Sequence, residues 1–135
     1  MKLRTMLIIA LCLFVTGSFA QSTVTKVTVK DETYYITTKL EYPITGLYKY
    51  ENKGAPIVDL KEGGTGIFQL HGKPETKMIW GVECDAEGVP KELKVVWGSV
   101  YRLWYQVAGV WDIIQLSVHT DERKIYILGE RIKTY

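Results

Sequence analysis

The stretch IVDLKEGGTGIFQL, residues 57–70, sets three glycines (Gly63, Gly64 and Gly66) between two short apolar runs. Glycines so placed serve either a phosphate-binding loop or a turn between strands. A phosphate loop needs a helix immediately after it, because the helix N-terminus supplies the N–H groups and the dipole. After Gly66 the chain reads Ile-Phe-Gln-Leu-His-Gly, which alternates as a strand does and has no helical spacing. The Lys-Ser/Thr pair of a P-loop is missing as well. The stretch therefore reads as a hairpin whose glycines supply positive φ without steric cost.

The same grammar extends along the chain. Short runs rich in Val, Ile, Tyr, Thr and Trp are broken by turn residues at intervals of about eight to twelve positions. They are TVTKVTV, YYITTKL, GLYKY, IVDL, TGIFQL, KMIWGVEC, LKVVW, VYRLWYQV, WDIIQLSV and KIYILGERI. DAEGVPKE is the longest polar connection, with room for one helical turn. Links this short exclude βαβ units and require antiparallel neighbours. The expected fold is all-β, an antiparallel meander of about ten short strands, closing as a small barrel in preference to folding over as a sandwich.

The first twenty residues, MKLRTMLIIALCLFVTGSFA, have a basic start (Lys2, Arg4), an apolar run and the small-residue ending Ser18-Phe19-Ala20. This is the pattern of a secretory signal cleaved near Ala20–Gln21, and the run is short for a membrane span. Residues 21–135 then form one β domain that is exported, to the periplasm or the exterior, with no transmembrane segment after cleavage. The chain carries 17 Lys and Arg against 15 Asp and Glu. Losing Lys2 and Arg4 leaves 15 against 15, so the charge argument for a nucleic-acid partner disappears. One cysteine, Cys84, remains of two. No internal disulfide is then available, and Cys84 reads as a small buried hydrophobe at a strand end.

Catalytic and metal patterns are missing from the sequence. His71 and His119 are the only histidines and lack paired ligand spacing. A Cys84–histidine dyad has no flanking motif. Glu83, Asp85 and Glu87 alternate as a solvated strand end rather than facing each other across a cleft. The expectation is a non-enzyme with no cofactor and no metal.

The aromatic residues stand out. All four tryptophans fall between residues 80 and 111. Alternation puts Met78, Trp80, Val82 and Cys84 on one inward face, and Arg102, Trp104 and Gln106 on the face opposite Tyr101, Leu103 and Tyr105. An Arg-Trp-Gln face suits a ligand groove, with a ring for contact area and polar ends for orientation.

GLYKY at Gly46–Tyr50 resembles the Gly-x-Trp start of lipocalin-like (calycin) barrels, and GTG before an apolar strand is common in small bacterial members. Tyr48 stands where that family has Trp, and a whole hairpin precedes Gly46. The family packs an arginine of its last strand over the Trp ring, and Arg131 in LGERI occupies a comparable position. The resemblance implies a ligand-holding barrel. The expected function is thus non-catalytic binding of a small apolar or amphipathic ligand in an aromatic-lined pocket of the barrel, with Trp80, Arg102, Trp104, Gln106 and Arg131 as the binding residues. The alternative is a cell-envelope structural or interaction module whose aromatic face meets a protein or a glycan.

Overall fold

The computed structural model describes residues 24–51 and 53–135. The signal sequence and its cleavage site lie outside the described residues. Eleven strands follow in order: β1 (Val24–Val29), β2 (Glu32–Thr37), β3 (Gly46–Lys49), β4 (Ile57–Leu60), β5 (Thr65–Phe68), β6 (Thr76–Cys84), β7 (Leu93–Val95), β8 (Gly98–Val107), β9 (Val110–His119), β10 (Lys124–Ile127) and β11 (Arg131–Thr134). Eight of them close an antiparallel barrel in the order β3-β4-β5-β6-β8-β9-β10-β11, with β11 returning to β3 through the Ile132–Lys49 pair. Strands β1, β2 and β7 lie outside that circuit. Closure removes the unpaired edges that an open sheet of this size would expose.

The turns are those the sequence chemistry allows. Val29 pairs Glu32 around Lys30 and Asp31, and Val107 pairs Val110 around Ala108 and Gly109. All four intervening residues have positive φ. That backbone belongs to the two-residue turns whose twist matches a hairpin. The run KIYILGERI, expected as one strand, is two. Leu128 and Gly129 have positive φ and turn the chain between β10 and β11, which accounts for a strand count above ten. DAEGVPKE forms turns and a single bridge from Cys84 to Pro90, not a helix. Among the described residues, no helix is long and apolar enough to cross a membrane.

Alternation fills the barrel. Tyr48, Leu60, Trp80, Leu103, Leu116 and Ile125 form one buried cluster with their neighbours, and most have essentially no exposed surface. Tyr48, at the position where the resemblance expects Trp, is wholly buried, and its hydroxyl donates to the Ile44 carbonyl at 2.5 Å. Burial pushes its phenol well above the ordinary tyrosine range, and does the same to Tyr101. The inward side chains meet in one buried hydrophobic cluster.

The IVDLKEGGTGIFQL stretch is the β4–β5 hairpin, with a single 3-10 turn at Glu62–Gly64. Two of its glycines are needed for different reasons. Gly63 turns with φ +81° and faces open space. Gly66 has ordinary φ, but a Cβ there would lie 2.3 Å from the Asp59 carbonyl oxygen of the paired strand. Gly63→Ala is therefore expected to cost about 1 kcal/mol. Gly66→Ala should cost more, about 2–3 kcal/mol, because backbone has to move. Urea unfolding of both variants checks this, and equal losses would contradict it.

Candidate functional site

Strand β6 changes partner halfway along one edge. Thr76–Ile79 pair with β5, Val82–Cys84 pair with β2, and Ile79–Val82 pair with β8 on the other edge. Trp80 lies at the change of partner, pointing inward. Its indole N–H donates to two carbonyls at once, Thr65 at 2.8 Å and Lys61 at 3.1 Å. Those carbonyls bracket the glycine turn, so the buried ring anchors the turn to the barrel wall. A buried indole needs such a partner.

The opposite, outward face carries a row across four strands: Thr65, Ile79, Gln106 and Trp111, each paired to the next. A cleft of about 510 Å³ opens over it, lined by Lys61, Thr65, Ile67, Lys77, Ile79 and Gln106, with the β8–β9 turn at its end. A recess of about 180 Å³ continues it through the shared Thr65 and Ile79 toward Thr25, Ile36 and Trp111. Ile79 keeps 43% of its surface exposed in the floor. A third cleft, about 210 Å³, lies at the barrel mouth between Phe68, Tyr105 and Val110.

A second aromatic assembly seats the β1–β2 hairpin. Val27 and Ile36 pack on Trp104, which is 3% exposed. Tyr34 lies 4.6 Å from the Trp104 ring and Trp111 lies 6.3 Å away, edge-on. The Trp104 N–H donates to Glu83 at 3.0 Å. Glu83, expected on a solvated strand end, is instead 4% exposed, with Lys91 at 3.8 Å and Arg102 at 3.9 Å from its carboxylate. The correction has a simple cause. The hairpin covers β6 beyond the point where β5 ends, so Glu83 is roofed over and takes its hydrogen bond from indole.

The five residues expected to bind ligand are therefore distributed. Trp80 pairs with Tyr105 and points into the core, whereas Trp104 pairs with Gly81 on the outer face, so the two rings lie on opposite sides of the sheet. Arg102 is exposed beside Glu83. Gln106 lines the outer cleft, and its amide donates to the Gly109 carbonyl at 3.3 Å. Arg131 is buried over Phe68 and Tyr50, at 5.4 and 5.7 Å from their rings, and donates to the Gln69 carbonyl at 2.6 Å. Of the five, only Gln106 lines the larger cleft, and Trp80 touches the recess from behind. Ile79, Lys61 and Lys77 were not singled out from sequence. The available signal was Ile79 at an outward position of KMIWGVEC, where alternation calls for a polar residue.

The groups considered for chemistry are engaged elsewhere. Cys84 is buried, and burial, with Asp85 beside it, pushes its thiol above the ordinary range. A thiol so shifted is a poor nucleophile. His71 meets Tyr50 and Glu130. His119 is stacked on Trp97 at 4.1 Å and faces Glu122 at 3.6 Å. Its ring nitrogen and the carboxylates of Asp121 and Glu122 come within 4.8 Å of one another on an exposed turn. There Asp121 already accepts the Glu122 N–H.

No protein-family model matches the chain, and no curated protein or solved structure matches it.

Trp104→Ala is expected to remove about 3–5 kcal/mol. The loss should fall first on the hairpin it seats. Amides of β1 and β2 should lose hydrogen-exchange protection before those of β9 and β10. Uniform loss across all four strands would contradict a separately seated hairpin.

Proposed function

We propose that this chain is a non-catalytic binding protein for a small apolar or amphipathic ligand, built on a lipocalin-like barrel. The ligand is taken up in the cleft outside the barrel wall rather than in its interior. The observation that carries the reading is the contrast between the two faces of β6. Inward, Trp80 and Val82 are buried in the core cluster. Outward, Ile79 is left in the floor of a cleft whose volume falls within the usual range for small-molecule sites. A large apolar side chain held open in a concave place is what such sites present. The N-terminal pattern supports export, and the bound form would act outside the cytoplasm as a carrier or sensor.

One observation favours the alternative, an envelope interaction module. Among the described residues strand β7 pairs only with β8, and Val89, Leu93 and Val96 are exposed around it. Such a module gives no reason for uptake of a small molecule, so one titration separates the two.

N-phenylnaphthylamine, a neutral apolar probe, should brighten on adding protein. Ile79→Asp should weaken its binding at least about tenfold, as an apolar contact is replaced by a charge. Leu103→Ile, which changes the packed interior, should leave the affinity unchanged. No binding to the native protein, or equal binding to Ile79→Asp, would overturn the reading.

A further inference from the structure

The outer cleft has a charge pattern that its apolar floor does not require. Lys61 and Lys77 both line it, and both are exposed. Neither enters an ion pair among the described residues. No carboxylate lines the cleft or the recess that continues it. Asp59 shares the face of its partner Ile67 and of Lys77, and Glu62 follows Lys61 with its carboxylate accepting from the Thr45 hydroxyl; neither acid lines the cleft. The chain carries nearly as many acids as bases, so two cations without an acid at one apolar cleft are a local arrangement.

The cleft is also polarised along its length. Lys77 stands beside its partner Ile67 on β5 and β6, and Lys61 stands on the other side of Thr65, to whose carbonyl its N–H donates. From there the floor runs over Ile79 into a recess walled by Ile36 and Trp111, where no charged residue contributes. A lysine holds its ammonium at the tip of a flexible apolar stem, which lets it cover a chain while pairing a head group at the rim. Gln106, paired with Ile79 on one side and Trp111 on the other, lies along that path with its amide donating to the Gly109 carbonyl.

Resting on the binding reading above, we propose that the ligand is a free single-chain amphipath with an anionic head. The head is held by Lys61 and Lys77, and the chain lies over Ile79 toward Trp111. The side is set by charge and the depth by the recess.

Displacement of N-phenylnaphthylamine by three amphipaths sharing one chain tests this: dodecanoate, dodecyl maltoside and dodecyltrimethylammonium, each below its micelle concentration. Dodecanoate should bind the native protein at least about tenfold more tightly than the ammonium compound, and added salt should narrow the gap. Lys61→Glu and Lys77→Glu should each weaken dodecanoate by about tenfold and leave the maltoside unchanged, with Lys77→Gln intermediate. Both lysines are exposed, so unchanged thermal midpoints will show that the variants fold. Equal affinity for the three heads, or dodecanoate binding indifferent to both reversals, would overturn the anionic assignment while leaving the cleft as a binding site. Failure of the native protein to take up N-phenylnaphthylamine or any of the three would overturn the binding reading itself. Co-sedimentation with phosphatidylglycerol vesicles without binding of free dodecanoate would overturn the choice of a free ligand over a lipid surface.

Discussion

The indole N–H of Trp80 holds together two parts of the chain that the barrel must keep in register. It donates to the carbonyls of Lys61 and Thr65, at the two ends of the glycine turn, from a ring that is itself sealed in the core. At that residue β6 has finished with β5 and has not yet met β2. A strand that changes partner leaves a seam, and a seam in a closed barrel is a place where backbone groups and side chains face water. The indole pins the turn across it. Gly66 allows β4 to approach so closely that no side chain fits, and Gly63 supplies the turn's positive φ.

The same seam generates the outer architecture. Because β5 stops early, the second half of β6 is free to take the β1–β2 hairpin, and Trp104 becomes the seat for it. The hairpin in turn roofs Glu83, whose carboxylate is satisfied by the Trp104 indole with Lys91 and Arg102 nearby. Between the end of β5 and the edge of the hairpin lies Ile79, uncovered, with Thr65 beside it in both the cleft and its recess. A buried core inside and an open cleft outside are thus two results of one shared strand.

Much of this was legible in the sequence. Alternation placed Trp80 and Val82 inward and Trp104 on the face opposite Tyr101 and Leu103, turn residues between the apolar runs marked the strand ends, and short links required antiparallel neighbours. The strand break at Leu128-Gly129 was missed because KIYILGERI alternates across it, and only the backbone reversal reveals the turn. Glu83 was misjudged because alternation states which face a residue takes, not whether another element will cover that face. For the site, sequence drew attention to the rings, since aromatic residues are conspicuous. The decisive feature is a small one, an isoleucine on a face shared with Lys77. Its exposure depends on β5 and β2 leaving a gap between them, a tertiary fact with no local signature.

The proposed site lies outside the barrel wall, at the seam of β6. The most direct measurement is an NMR titration of the isotope-labelled protein with N-phenylnaphthylamine, following backbone amides and isoleucine methyls. Shifts are expected at Thr65, Ile67, Lys77, Ile79 and Gln106, with the methyls of Leu103, Leu116 and Ile125 unmoved. Shifts centred on those interior methyls, with Ile79 silent, would place the ligand inside the barrel and contradict it.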